Sequence, residues 1–394
     1  MTAAAGPERI RGFDGLRALA VLAVFLQHYT PLGRTWEVGS YGVWLFFGLS
    51  GFLIVRILHG ERRAIEAKAI TTGHALRRFF WRRTLRIMPI YYLALAVFAV
   101  LGAIGWARDF TFPAAWWHFA YLSNVHFAQV GEWQGRFGFL WSLAVEEQFY
   151  LLAAPALLLA PAAWTRNICA GVVLAALIRH LLLRLEGAPE IVSYTDSLAN
   201  FGVIAFGGWL ALALPARARA GTRSWPTAAG LALIVLFVWG YFNIGYYPPR
   251  VADLLTMAPV VAMTVLGAGT LAAVYLNQES WAVKALEWRP LAGIGRISYG
   301  LYLYHNLPPH WILTWASRKW AWGWVPTENQ EAAFSFTIAL CLATLSWRLI
   351  ERPLLAMKDN PPNVGAWTRR MGLRPMRPAQ ANRGNASLSE AGSL

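Results

Sequence analysis

Apolar residues along this chain arrive in long blocks separated by short charged stretches, as bilayer spans do. Blocks near 14–30, 41–58, 87–105, 138–159, 167–185, 197–214, 227–243, 256–276, 297–316 and 331–350 each approach the ~20 apolar residues a crossing needs. They predict an all-α polytopic membrane protein with about ten transmembrane helices. An eleventh stretch, 114–127, is short and aromatic and holds His118, Ser123, Asn124 and His126. It is expected to be interfacial or re-entrant, because a true span there would invert every later loop.

The charged stretches orient these blocks. The 59–86 segment carries Arg62, Arg63, Lys68, Arg77, Arg78, Arg82, Arg83 and Arg86, and the 215–226 and 277–296 segments add Arg217, Arg219, Arg223, Lys284, Arg289 and Arg296. Facing them across the membrane are only Arg34, Arg108, Arg136, Arg250, Arg318 and Lys319. The positive-inside bias then places both termini in the cytoplasm. Composition agrees with the membrane class: 57% of 394 residues are hydrophobic and 14% charged, with a mean hydropathy of +0.40, whereas a soluble domain carries about a quarter charged residues. The net charge of +15 sits in the flanking loops and calls for no nucleic-acid partner. Cys169 and Cys341 both fall in apolar blocks, so neither a disulfide framework nor a metal site is expected. No signal-peptide cleavage pattern precedes the first apolar run, which is expected to remain as a helix. Three regions follow: a short cytoplasmic N-terminus (1–12), a membrane domain (13–355) and a disordered basic cytoplasmic tail (356–394).

Ionisable residues inside spans cost several kcal/mol unless paired or wet, so each marks a candidate site. In FDGLRALAVLAVFLQHY, Arg17 and His28 are eleven residues apart, close to three turns and roughly 16 Å along one helix face. They cannot touch, but they suit a cleft entered from the cytoplasm, with a cation at its mouth and an imidazole deeper in. Histidine is suited to activating a hydroxyl near neutral pH; the alternative is a snorkelling Arg17 and a satisfied polar His28. In WSLAVEEQFYLL, Glu146 and Glu147 point about 100° apart, one to orient the histidine and the other to pair with an arginine, and Ser142 shares a face with Glu146. A structural salt bridge is the competing explanation. Arg83 and Arg86, at the entry to a span, set two guanidinium forks on one face, as phosphate recognition requires, although most cations nearby need only set topology. His305, after Tyr302 and Tyr304 and before Pro308 and Pro309, either lines a cavity at a broken helix or sits at the interface. Asp196 and Asn200, one turn apart, are candidates for contacting an acceptor.

Six stretches, FDGLRALAVLAVFLQH, GVWLFFGLSGFLI, RRTLRIMPIYYL, WSLAVEEQFYLL, ISYGLYLYH and RLIERPL, resemble in order the acyltransferase 3 family of integral-membrane acyltransferases. The resemblance implies ten helices and an acyl group moved from cytoplasmic acyl-CoA, foremost acetyl-CoA, to a hydroxyl. It places the family's Arg-x10-His on Arg17 and His28, its Arg-x-x-Arg on Arg83 and Arg86, and its Ser-x3-Glu on Ser142 and Glu146. Trp44 stands where an aspartate is typical, and no stretch corresponds to the hydrolase-like extension that members commonly carry.

The expected function is therefore O-acyl transfer to a saccharide, a glycolipid or a secondary metabolite such as a macrolide, in the inner or plasma membrane. His28 and Glu146 are the expected catalytic residues, with His28 acting either as general base or as transient acyl carrier. Arg17, Arg83 and Arg86 are expected to hold the donor. Asp14, Trp141, Ser142, Glu147, Tyr302 and His305 support the site; the expected partners are the lipid bilayer, acyl-CoA and the acceptor, and homodimerisation is allowed. The competing class is a proton-coupled transporter of a small polar metabolite, which also uses intramembrane His, Glu and Arg. No internal repeat speaks for it.

Overall fold

The computed structural model describes residues 9–103, 112–214, 258–307, 312–321 and 323–359. These residues form helices and connecting turns, with no strand among them. In chain order the helices are α1 (Phe13–Tyr29), α2 (Pro31–Thr35), α3 (Val38–Glu66), α4 (Thr72–Ala103), α5 (Phe112–Phe119), α6 (Ser123–Val130), α7 (Leu140–Leu159), α8 (Thr165–Leu185), α9 (Glu190–Thr195) and α10 (Ser197–Ala213). After the undescribed segment come α11 (Ala258–Leu276), α12 (Trp281–Leu286), α13 (Arg289–Arg296), α14 (Ser298–Tyr304), α15 (Ile312–Lys319), α16 (Glu328–Ser346), a π-turn (Trp347–Glu351) and α17 (Arg352–Leu355).

Five helical segments are long and apolar enough to cross a membrane: Val38–Glu66, Thr72–Ala103, Gly135–Leu159, Ala162–Leu185 and Glu328–Leu355. Ser197–Ala213 and Val261–Leu276 are shorter apolar helices. The protein is a multi-pass membrane protein. Of the ten blocks anticipated from hydropathy, 227–243 lies outside the described residues, and so does most of the tail.

Two differences from the hydropathy reading have a common cause. The basic segment 59–86, anticipated as a loop, is helical except around residues 67–71. Hydropathy marks where lipid begins, not where hydrogen bonding stops, and Arg, Leu and Ala are strong helix formers. Its polar end is held by Glu61, ion-paired with Arg78, and by the Arg62–Glu66 pair at 3.2 Å. The block 297–316, anticipated as one span, ends its first helix at Tyr304 and resumes at Ile312. Residues 308–311, including both prolines, lie outside the described residues. Stretch 114–127 falls on α5 and α6, joined by a turn and each 8 residues long, too short to cross.

Close helix packing relies on small residues, as is usual where lipid gives no hydrophobic drive for association. A Cβ on Gly51 of α3 would collide with the Ile204 carbonyl oxygen of α10, and one on Gly207 with the Gly48 carbonyl oxygen. Gly51→Ala is accordingly expected to force α3 and α10 apart and lower stability by about 1–3 kcal/mol, the usual penalty for overpacking. Thermal unfolding in detergent reads this, and a Tm equal to wild type would show that the contact carries no such constraint.

Helix α3 runs back alongside α1. The Gln27 side-chain oxygen, near the end of α1, accepts from the Gly39 and Ser40 amides at 2.6 and 3.1 Å, satisfying orphan donors of the first turn of α3. At the other end of α1, Phe13 meets Phe52 of α3 edge to face, with centroids 5.3 Å apart. This antiparallel pair forms one wall of the cavity described next.

Candidate active site

A cavity of ≈ 330 Å³ opens between α1, α3, α4, α7 and α14. Its apolar lining includes Phe46, Phe47, Leu53, Ile54, Ile87 and Leu143. Its charged lining is lopsided, with Arg9, Arg17, Arg56, Arg83 and Arg86 against Asp14 and Glu146. An apolar interior with an excess of cations is costly unless an anion completes it.

Arg17 sits one turn inside α1 and donates to Asp14 across 3.1 Å; both are mostly buried. Arg83 and Arg86 project from one face of α4. The Arg83 guanidinium stacks over the Tyr150 ring at 5.5 Å and lies 5.9 Å from that of Phe79. Among the described residues, neither Arg83 nor Arg86 forms a hydrogen bond or an ion pair within 4 Å. Glu146 faces this group, beside the Ser50 hydroxyl and in the field of Arg83, Arg86 and Arg17. Ser50 in turn hydrogen-bonds to Tyr150, which is one turn after Glu146 and therefore on its face. The carboxylate thus supports three cations without neutralising them.

At another border of the cavity, the Ser142 and Tyr302 hydroxyls are 2.6 Å apart, and both reach the Phe139 carbonyl at 3.1 Å. The ring of Tyr302 lies 5.6 Å from His305, which faces His28 with centroids 5.0 Å apart. The His305 Nδ1 donates to the Tyr302 carbonyl at 2.6 Å, which fixes the orientation of the ring. The neighbouring Tyr29 hydroxyl donates to the His305 carbonyl at 2.5 Å, tying the end of α1 to the end of α14.

The sequence-selected residues therefore fall into two adjoining groups. Asp14, Arg17, Arg83, Arg86, Ser142, Glu146 and Tyr302 line one cavity. His28 and His305 form a pair joined to that cavity through Tyr302. Trp141 is a core residue, packed against Phe47 and Tyr194 at 5.8 and 4.9 Å. Glu147 is not among the lining residues, and its buried Oε1 has no hydrogen-bond partner among the described residues. Trp44 lies 6.3 Å from Tyr194, an aromatic contact rather than a charged one. Asp196 has a structural role, accepting from the Ala199 amide as N-cap of α10 and pairing with Arg179 at 3.0 Å. Asn200 donates to two nearby carbonyls.

Sequence reading missed Ser50, Arg56, Tyr150 and Tyr299. Tyr150 carried a signal, its four-residue spacing from Glu146. Arg56 also carried one, as an ionisable residue within block 41–58; Ser50 had none, and the Tyr299 hydroxyl, bonded to the Ile87 carbonyl at 3.2 Å, reaches the cavity only because α14 packs on α4. No group of three or more metal-ligating side chains occurs among the described residues.

Comparison with known proteins bears on this site. The family model for the acyltransferase domain (acyltransferase 3) matches residues 10–350. The chain is 28% identical to the peptidoglycan O-acetyltransferase OatA of Listeria monocytogenes, over 88% of this chain and 56% of that protein. It is 30% identical to the putative peptidoglycan O-acetyltransferase YrhL of Bacillus subtilis, over 88% and 55%. A putative O-acetyltransferase of Staphylococcus aureus is 26% identical over 87% and 57%. The chain thus spans about half the length of the curated relatives it matches, and no solved structure matches it. The match runs through every element that lines the cavity, and the chain belongs to the acyltransferase 3 family, as an acyltransferase domain embedded in the membrane.

Proposed function

We propose that the protein is an O-acetyltransferase of a bacterial-type cell membrane, using acetyl-CoA as donor and a saccharide hydroxyl as acceptor. One observation carries this reading: five guanidinium groups and two carboxylates line a single cavity with apolar walls. A polyanion with an apolar arm and a small acyl end is the ligand such a lining suits, and acyl-CoA has those parts. The named relatives, peptidoglycan O-acetyltransferases in two cases, favour acetyl as the group moved and a glycan as its destination.

Arg83 and Arg86 bind the donor's pyrophosphate, since guanidinium forks match phosphate oxygens. Arg17 completes the cluster, with Asp14 fixing its direction. Glu146 and Ser50 keep the arginines apart and aimed into the cavity. The pantetheine arm lies along Phe46, Phe47, Leu143 and Ile87 and carries the thioester toward Ser142 and Tyr302. His28 takes the proton of the acceptor hydroxyl as the new C–O bond forms and the C–S bond breaks, and returns that proton to the CoA thiolate. His305, its ring fixed by the bond from Nδ1 to the Tyr302 carbonyl, positions His28. The chain is placed with both termini in the cytoplasm, the donor entering beside Arg9 and the start of α1.

The test is transfer by the purified full chain. Radiolabelled acetyl-CoA supplied with glycan fragments is expected to yield base-labile label on the glycan. Label that never leaves the donor, combined with acceptor-independent flux of a small metabolite in liposomes, would sink the reading.

A further inference from the structure

The cavity's cations stand in two tiers, only one of which is accounted for by the donor's pyrophosphate. Arg17, Arg83 and Arg86 surround Glu146 and Ser50. Arg56 lies six residues beyond Ser50 on α3, about 9 Å further along the axis and one turn past Phe52, which meets Phe13 at the first residue of α1. Arg9, just before α1, also lines this end of the cavity. The outer tier is therefore Arg9 and Arg56, at the end where α1 begins.

Arg56 is half-buried yet makes no ion pair among the described residues. It donates to the hydroxyl of Tyr275 on α11 at 2.9 Å, with its guanidinium 5.4 Å from the centroid of the same ring. Held by this contact with Tyr275 alone, it is an oriented cation with unused donors. Arg9 shares Asp14 and Glu287 at 3.0 and 2.9 Å, and its side chain is 60% exposed, so it can turn to an arriving anion at little cost.

Resting on the acetyl-CoA reading above, we propose that Arg56, assisted by Arg9, forms a second phosphate subsite that reads the 3′-phosphate on the donor's ribose. Coenzyme A carries its charge in two places, the pyrophosphate and this 3′-phosphate, separated by a ribose. The two arginine tiers reproduce that division along one cavity. The protein thereby distinguishes CoA from dephospho-CoA and from adenine dinucleotides that lack the 3′-phosphate.

Calorimetric binding of CoA and dephospho-CoA to the full chain in nanodiscs tests this. Wild type is expected to bind CoA about tenfold or more tightly than dephospho-CoA, as charge-assisted bonds to one phosphate allow. R56Q is expected to bring the ratio close to one. A wild-type ratio near one, or a ratio that R56Q leaves unchanged, overturns the subsite while leaving the donor reading intact. If neither compound binds wild type, the donor reading itself falls. Should R56Q fail to fold, R9Q, which gives up only ion pairs made by a 60% exposed side chain, must still shrink the ratio; an undiminished ratio in R9Q and in a folded R56K variant overturns the proposal.

Discussion

His28→Ala is expected to lower acetyl transfer by about 10²–10⁴-fold, the usual worth of a positioned general base, with donor binding left within about twofold of wild type because the arginine cluster is untouched. The contrast between these two readouts is the informative part. Arg17 and His28 share a helix but lie roughly 16 Å apart along it, so a change at His28 acts at the acceptor end alone. Global unfolding is not an adequate explanation of such a loss. The adjacent Tyr29 keeps its bond to the His305 carbonyl, and Gln27 keeps its cap on α3; both ties between α1 and its neighbours survive. Steady-state transfer from radiolabelled acetyl-CoA, measured beside calorimetric CoA binding, separates the two effects. Transfer at the wild-type rate would remove His28 from the chemistry.

The paired substitution Arg83→Gln, Arg86→Gln is expected to do the reverse. Each arginine faces the cavity without a carboxylate partner of its own among the described residues, so each has guanidinium donors to give to a phosphate. Loss of charge-assisted bonds worth about 1.5–3 kcal/mol at each residue weakens CoA binding by at least about 10²-fold. The donor KM rises, and transfer at saturating donor is retained in larger part than in His28→Ala. Arg83→Lys should already lose part of the affinity, because an ammonium keeps the charge but loses the planar stack on Tyr150 and the bidentate fork. Donor binding unaltered in the double variant would mean that the cation excess serves some other anion.

Both expectations depend on where side chains converge, and the sequence was unequally informative about that. The membrane class was legible from apolar block length, because a bilayer demands about twenty apolar residues per crossing whatever the packing. The candidate residues were legible for the same reason: an arginine or glutamate within such a block is conspicuous. Helix ends were less legible. The basic segment after α3 remains helical well past the apolar part, since arginine favours helix and lipid contact is not required for it. The break after Tyr304 came earlier than the prolines would require, with the His305 Nδ1–H bonded to the Tyr302 carbonyl within the turn.

By itself the sequence determined that this is a multi-span helical membrane protein, and that Arg17, His28, Arg83, Arg86, Ser142 and Glu146 stand out in it. The tertiary structure decided which of these work together. Spacing along one helix shows only that two side chains share a face. Whether Glu146 meets a histidine or an arginine depends on how α7 is rotated and seated against α3 and α4, which is set by packing between segments distant in the chain. That packing puts Glu146 with Arg83, Arg86 and Ser50, and puts His28 beside His305. It also brings Ser50 and Tyr150, unremarkable in the sequence, and the span residue Arg56 to the wall of the same cavity.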